Sequence, residues 1–486
     1  MSKIIEKNNL IRKRKQLKEE HLISEVRHPY IENSDIRLKE ICDRNVKGIY
    51  GENVPGEIKN RIEWELKAIN RTGMAFVILL LKELVEKNKL TKEDFRLRDT
   101  SSGSYVLYLC GLNNYNPLEF GLTPYFTFGL EQDECIDVGI NVPTSEHSKI
   151  IKSCKNLEGV SEAVEIGSFG RTPRGVVYVP EGSKVSDVIP TESEEAFATI
   201  KSHNYYILNK VFYFQGIGAS NDMQLVYNLS QRLGISDKDI NLDDKEIISL
   251  FNSTEILGVL PEKIGGVKYG VLGLPTFKEW RAIKILDDIK INSFEDLVKV
   301  IGLIHGIGAW WGNVYKLIKE NDVSFNDVIS TREDIFEYLL SKGISDKEAF
   351  QIADRMRRGG RIKKSDKEMM RLRGVPKWYI SSCDEIYYLT SRIQCIDCAF
   401  RFWKLAYFKI KYPNEFYEEY FNVYDYGDLN KAVKKGYDEV LAYAEMMSKE
   451  EVPDIRNDEV YNEYMYKELG LLVAKEMYER RRLKMF

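Results

Sequence analysis

Apolar residues recur at helical spacing through most of the chain, and strict alternation of apolar with polar residues is confined to a few short segments. Between residues 57 and 89 the helical spacing is interrupted near Gly73, which predicts two helices. Alternation predicts strands over residues 105–109, 136–142, 175–179 and 207–213. These strands would form one small sheet.

Beyond about residue 225 the helical pattern predominates. It predicts helices over residues 225–233, 294–302, 332–343, 346–357, 383–412 and 430–447. Ser293 and Ser345 precede two of these segments, and serine is a preferred residue for capping a helix N-terminus. The pattern predicts an α+β protein with a small mixed sheet, associated helices and a large helical lobe.

The amino-acid composition is typical of a globular protein. The chain has 486 residues, of which 43% are hydrophobic and 30% charged, an ordinary globular balance. The longest apolar run, residues 74–81, is far too short to span a bilayer, and the first twenty residues are too polar for a secretory signal. We therefore expect a cytoplasmic protein with no membrane partner.

Two of the cysteines have a spacing that could belong to a redox or metal site. Cys395 and Cys398 form a Cys-x-x-Cys pair, a spacing that occurs in redox and zinc sites. A zinc site needs four ligands, and the other cysteines form no second pair. The interpretation is two free thiols on a helix, and we predict neither a metal site nor a cofactor from this pair.

The charge balance argues against a large nucleic-acid interface. Lys and Arg total 71 and Asp and Glu total 75, giving a formal net charge of −4, whereas phosphate binding requires clustered positive charge. Three segments concentrate it: residues 11–15, 355–364 and 480–484. Each is either a solvated helix face or tail, or a contact for DNA or RNA.

A series of collinear segments resembles the PolC-type bacterial DNA polymerase III α subunit. Residues 251–259 (FNSTEILGV) and 303–313 (LIHGIGAWWGN) resemble its fingers motifs, and residues 375–383 and 405–413 follow in the same order. Upstream, residues 49–55 (IYGENVP) and 116–118 (NPL) resemble the start of its palm. The resemblance implies an N-terminal helical arm (1–50), a palm (51–225) and a helical fingers-like domain (226–486).

The resemblance also locates the family's three metal-binding aspartates. Asp137 stands at the first position of the Asp-x-Asp pair, but the second position is Gly139, and the ungapped third position is Gly216. One carboxylate cannot organise two hard cations, which need several charged oxygen ligands. The resemblance therefore implies a degenerate polymerase with no catalytic residues, in which Mg²⁺ would bind only if some activity remained.

Other positions match the family's ligand-binding motifs. Arg98 and Ser104 match its phosphate-cradling loop, although Asp99 adds a repelling charge, and Cys398 stands where the family has a base-stacking tyrosine. The nucleotide or nucleic-acid binding candidates are Arg98, Ser104, His305, Gly306, Trp310, Asn313, Arg357 and Arg358.

Two further features of the resemblance concern missing and terminal parts. Few residues separate Asp137 from the turn at 172–175, so the family's thumb is expected to be largely deleted, and a truncated palm plus fingers to remain. Residues 482–486 resemble a sliding-clamp peptide, which implies a protein partner for Leu483, Met485 and Phe486. The same residues could instead finish the last helix.

Two functions follow as alternatives. The first is an inactive pseudo-polymerase that binds or scaffolds nucleic acid, a nucleotide or a protein partner. The second is a repurposed, nucleotidyltransferase-like enzyme acting on a nucleotide or another small molecule. In that case a base or a single metal would come from acidic and histidine side chains near the former site: Asp137, Asp222, His203, Glu131, Asp133 and Glu134. Dependence of a reaction on Asp137 or His305 would separate the two.

Overall fold

The computed structural model describes residues 29–134, 136, 138–166, 175–180, 182–184, 213–357, 359–454 and 458–483. The chain divides into two compact units, Met1–Met223 and Gln224–Phe486. The first contains a five-stranded sheet with helices, and the described part of the second is helical. The predicted α+β class, with a small mixed sheet and a large helical lobe, is confirmed.

The first unit combines short strands with six helices in its described part. The strands are β1 (Arg96–Leu97), β2 (Ile140–Pro143), β3 (Val160–Ile166), β4 (Gly175–Pro180) and β5 (Tyr213–Ser220). The helices are α1 (Ser34–Tyr50), α2 (Gly56–Arg71), α3 (Ala75–Lys87), α4 (Tyr105–Leu109), α5 (Tyr125–Phe128) and α6 (Thr144–Ser153). The predicted pair of helices between 57 and 89 is therefore confirmed as α2 and α3.

The sheet has the strand order β1-β2-β5-β4-β3. Strands β2 and β5 are parallel, and the other neighbouring pairs are antiparallel. Helix α3 begins with a continuous apolar run, and nine of its thirteen side chains are buried. Phe76 of α3 packs edge to face against Tyr213 of β5, with ring centroids 5.5 Å apart.

One predicted strand is wrong. Residues 105–109 form helix α4, whose first backbone N–H groups are bonded to a buried carboxylate. Five residues are too few to distinguish helical from alternating spacing, so this distant partner decided the structure. Strand β2 also begins later than the predicted 136–142, and residues 207–212 of the last predicted strand lie outside the described residues.

Helices form the second unit. They are α7 (Asn221–Leu233, which begins in the first unit), α8 (Lys245–Asn252), α9 (Trp280–Ile285), α10 (Phe294–His305), α11 (Tyr315–Glu320), α12 (Arg332–Ser341), α13 (Asp346–Arg357), α14 (Lys364–Leu372), α15 (Lys377–Glu385), α16 (Arg392–Lys411), α17 (Pro413–Val423), α18 (Asp428–Lys435), α19 (Tyr437–Ser448) and α20 (Asp458–Leu483). None of the helices in the described ranges is long and apolar enough to cross a membrane.

Two long predicted helices are each divided. Segment 386–391 separates α15 from α16, and within it Tyr387 N–H donates to Ile307 O at 2.8 Å. Gly436, with φ of 135°, separates α18 from α19. The predicted caps are confirmed, because Ser293 Oγ accepts from Asp296 N–H at 3.0 Å and Ser345 Oγ accepts from Glu348 N–H at 3.4 Å.

A buried ion pair joins the last helix to the core of this unit. Lys409 of α16 and Glu476 of α20 are fully buried, with Lys409 Nζ 2.5 Å from Glu476 Oε1. Lys409 also donates to Gly270 O at 2.7 Å and Leu272 O at 2.6 Å. Tyr417 donates its hydroxyl proton to Glu476 Oε1 at 2.7 Å. These contacts compensate for placing two charges away from water.

Candidate functional site

The two positions that lack the expected aspartates lie next to each other in the sheet. Strands β2 and β5 pair Ile140 with Ile217, and the same register continued by one residue brings Gly139 beside Gly216. Val138 O accepts a hydrogen bond from Gln215 Nε2 at 3.1 Å across this junction. Asp137, the remaining aspartate, lies outside the described residues.

The guanidinium of Arg98 occupies the space into which a side chain at 216 would project. A Cβ atom built on Gly216 would lie 2.5 Å from Arg98 Nη1, well inside van der Waals contact. The backbone of Arg98 is held in place because its N–H donates to Gly139 O at 2.7 Å and its carbonyl accepts from Ser101 Oγ at 2.6 Å. At this junction, a cation stands where the resemblance predicts a carboxylate.

Neighbouring positions on β5 supply no carboxylate either. Gln215 is fully buried, donates to Val138 O, and accepts from the Tyr178 hydroxyl. Ile217 is also fully buried. A one-residue slip in the correspondence would therefore still place no acidic side chain here.

The residues do not fit a pair of catalytic metal ions. Gly139 and Gly216 offer no oxygen ligand from a side chain, and Arg98 brings a positive charge to the same place. Of the acidic residues proposed for new chemistry, Glu131 and Asp133 are exposed, and Glu134 and Asp222 are half-buried. Within the described ranges no three His, Cys, Asp or Glu side chains group closely enough to hold a metal ion, and His203 lies outside these ranges.

Ser104, the other residue matching the phosphate loop, is committed to internal contacts. Its hydroxyl donates to Glu65 Oε2 at 2.7 Å and accepts from Leu107 N–H at 3.2 Å. Glu65 is itself fully buried, accepts the N–H groups of Tyr105 and Val106 at 3.0 Å, and pairs with Arg61 Nε at 2.5 Å. A protein carboxylate therefore occupies the N-terminus of α4, and Ser104 presents no exposed surface to a ligand.

The second group of candidates surrounds the loop that follows α10. Gly306 packs closely, since a Cβ on it would lie 2.6 Å from Ala309 Cβ. Trp310 is buried, and Asn313 Nδ2 donates to Gly308 O and Ser382 O at 3.4 Å. Trp310 and Asn313 therefore act as internal anchors that give the loop a defined shape.

His305 ends α10 and is solvent-exposed. Its pKa lies below the usual value, mainly because surrounding protein atoms remove part of its hydration and secondly because Arg401 is positively charged. The imidazole is therefore expected to be neutral at neutral pH, able to accept or donate one hydrogen bond.

The remaining predicted residues are only partly placed. Arg357 ends α13 and is half-buried, while Arg358 lies outside the described residues. Leu483 is the last residue of α20, and Met485 and Phe486 also lie outside. The ligand and clamp contacts of these residues stay predictions.

Two exposed aromatic residues were missed by the sequence reasoning. Trp311 is 49% exposed and Tyr387 is 58% exposed, in the same unit as His305. The tandem Trp310-Trp311 was a usable signal, because a turn that buries one of two adjacent tryptophans commonly directs the next side chain away. The sequence around Tyr387 does not indicate that it is exposed, because residues 383–412 were predicted as one helix and the non-helical segment 386–391 was not predicted.

Comparisons with known proteins cover both units. Residues 36–210 match a family model described as bacterial DNA polymerase III alpha NTPase domain, and residues 221–374 match one described as bacterial DNA polymerase III alpha subunit finger domain.

Curated proteins named DNA polymerase III PolC-type are similar over most of this chain. That of Caldanaerobacter subterraneus subsp. tengcongensis is 26% identical over 482 residues, covering 81% of this chain and 34% of that protein. That of Clostridium perfringens is 26% identical over 543 residues, covering 93% of this chain and 37% of that protein. The chain thus spans about a third of the length of these relatives.

Proposed function

Because this chain is a PolC-like relative of the bacterial DNA polymerase III α subunit, we propose that it is a pseudo-polymerase, which binds its partners without synthesising DNA. Its ligand would be a nucleic acid, a nucleotide or a protein partner, held by the palm-like or fingers-like unit in the cytoplasm. The observation that carries this proposal is the Arg98 guanidinium against Gly216, at the position where the resemblance predicts a metal-binding carboxylate.

Electrostatics support the loss of catalysis. Polymerase chemistry uses two divalent ions, one to activate the primer hydroxyl and one to neutralise the leaving group. With an effective dielectric constant of about 20, a divalent ion about 5 Å from a guanidinium would be repelled by roughly 7 kcal/mol. Without carboxylates at 139 and 216, no described side chain at this junction offsets that repulsion.

The ligand-binding part of the proposal has separate support. The chain retains the order of the family's palm and fingers motifs, and the anchored loop after α10 keeps a defined shape. Loops held on a rigid scaffold commonly carry binding function. The fold can therefore retain a ligand-binding surface even if the protein does not synthesise DNA.

Primer extension tests the catalytic half of the proposal. We expect no extended product from the full chain with Mg²⁺ or Mn²⁺, while a polymerase of the same family extends the primer in parallel. Thermal-shift and gel-shift titrations with dNTPs, single strands, primed duplex and clamp protein test binding.

Extension that Asp137→Asn abolishes, and that the exposed control Asp243→Asn leaves intact, would refute the pseudo-polymerase proposal. A different nucleotide-dependent product that requires Asp137 or His305 would instead favour the repurposed enzyme. Absence of binding to every ligand tested would count against the binding role.

A further inference from the structure

Three apolar side chains are presented to solvent on one part of the second unit. Ile307, Trp311 and Tyr387 are 61%, 49% and 58% exposed, and we call them the apolar patch. Ile307 N–H donates to Tyr388 O at 3.0 Å, and Tyr387 N–H donates to Ile307 O at 2.8 Å. This bridge brings the loop after α10 beside the segment between α15 and α16.

The patch is held in place by buried groups on either side of it. Gly308 has φ of 72°, and a Cβ built on it would lie 2.9 Å from Tyr387 Cδ2. Next to Trp311, the Trp310 side chain is buried, while the Trp311 ring lies 6.0 Å from that of Tyr315. The exposure of Trp311 and Tyr387 therefore belongs to a packed structure and is not that of a fraying end.

A basic segment adjoins the patch. A Cβ built on Gly359 would lie 3.0 Å from Tyr387 O, so the turn after α13 contacts the backbone of Tyr387. Residues 355–364 contain no Asp or Glu. Arg355 is neutralised by Asp366, but in the described part of the chain the other basic residues of the segment make no ion pair: Arg357, Arg361, Lys363 and Lys364.

Acidic groups near the patch are few. Asp384 is paired with Lys367 at 2.5 Å, and Glu385 is exposed with its carbonyl against Gly308. Glu368, four residues after Lys364 on α14, is also exposed. Four unpaired cations therefore outweigh two exposed carboxylates here, although the whole chain is slightly acidic.

From this arrangement we propose that the apolar patch and the basic segment together bind single-stranded nucleic acid. Unpaired bases would stack on the Trp311 and Tyr387 rings, and phosphates would contact Arg357, Arg361 and the two lysines. Aromatic rings beside a positively charged track are the usual means of binding single strands without reading sequence. A duplex keeps its bases stacked internally and offers no free faces to these rings.

This inference deepens the proposed function, because it names the ligand class and the face that binds it. Fluorescence anisotropy with a labelled oligo-dT of about 20 nucleotides, and with the matching duplex, tests it on the full chain. We expect tighter binding of the single strand, and about tenfold weaker binding by Trp311→Ala.

Matched variants separate stacking, charge and folding. Tyr30→Ala removes a 74% exposed tyrosine of the first unit and is expected to bind like the original chain. Arg361→Glu is expected to reduce the slope of log affinity against log salt by about 0.7 for a lost phosphate contact, while Lys434→Glu leaves it unchanged. Glu385→Gln is expected to bind more tightly.

Trp311→Phe keeps a ring and should retain most of the affinity, and circular dichroism checks that each variant is folded. Equal affinity for single strand and duplex would overturn the inference. So would an affinity of Trp311→Ala equal to that of the control Tyr30→Ala. No binding to oligo-dT at low salt would also overturn it. Primer extension, measured separately, decides the pseudo-polymerase proposal whichever result the anisotropy gives.

Discussion

Replacing Lys409 by methionine tests the energetics of the buried ion pair that fastens α20 to α16. The substitution keeps the volume and leaves Glu476 fully buried without its partner at 2.5 Å. It also removes the hydrogen bonds to the carbonyls of Gly270 and Leu272. Removing one member of a buried pair costs roughly 3–5 kcal/mol, because the remaining charge stays desolvated.

The expected consequence is a lower melting temperature for the second unit. For a domain of this size each kcal/mol lowers it by about 2 °C, so a fall of roughly 6–10 °C is expected by differential scanning calorimetry. The matched control is Lys411→Met on the same helix, whose partner Glu246 is solvent-exposed. An exposed pair contributes less than about 1 kcal/mol.

Lys409→Met melting no lower than Lys411→Met would refute the reasoning. A second check is Lys409→Met combined with Glu476→Leu, which replaces both charges with apolar groups. This variant should melt above Lys409→Met, since an apolar pair avoids the desolvation of an unpaired charge.

The same pair predicts a dependence of stability on pH. Burial lowers the pKa of Lys409 to about 8 despite the opposing effect of Glu476. An unfolded lysine titrates near 10.4, so between about pH 8 and pH 10 the unfolded chain binds more protons at this residue than the folded chain. The free energy of unfolding should therefore rise with pH across this window relative to Lys409→Met. Urea titrations at pH 7, 8 and 9 would measure the difference, and an unchanged or shrinking difference would contradict the assignment.

Three further outcomes are expected. Gly308→Ala should destabilise the second unit by about 2–4 kcal/mol in urea unfolding, because the added Cβ would meet backbone atoms and the φ of Gly308 is 72°. The control Gly312→Ala, at a φ of 81° but with open space around the Cβ, should lose only about 1 kcal/mol. Equal losses in the two variants would contradict this reasoning. Gly216→Asp alone should create no Mg²⁺ site detectable by calorimetry, because the new carboxylate would pair with Arg98. Mg²⁺ binding by this single variant would show that Arg98 does not neutralise a carboxylate at position 216. The pKa of His305 measured by NMR should lie below 6.5, so the folded state loses stability as the pH falls below that value. A pKa at or above 6.5 would refute the stated loss of hydration at this side chain.

Among the predicted segments, the strand over residues 175–179 and the two helices between 57 and 89 were predicted correctly, whereas residues 105–109 and the two divided helices were not. Helices α2 and α3 follow directly from repeated apolar positions on one face and a break near Gly73. Helix α4 was predicted as a strand, since its conformation depends on the distant Glu65. The division between α15 and α16 depends on backbone bonds to Ile307. Such non-local partners leave no periodic signal along the chain.

The candidate site shows the same division between local and non-local information. Motif order identified the loop after α10, but exposure separated Trp311 from its buried neighbour Trp310. Tyr387 belongs to the apolar patch only because backbone hydrogen bonds place it beside Ile307. Which of two adjacent tryptophans faces solvent depends on how the loop packs, so the sequence could not show that Trp310 is buried and Trp311 exposed.

That positions 139 and 216 carry no carboxylate follows from the amino-acid sequence alone, because glycine has no side chain that could supply one in any fold. The sequence also determined the α+β class, since apolar periodicity reflects which face each element must bury. Folding is needed to place Arg98 in the space at Gly216, and to bring Trp311 and Tyr387 beside a basic segment in which four described residues make no ion pair. These contacts join residues far apart in the chain, and their geometry is set by packing of the whole unit.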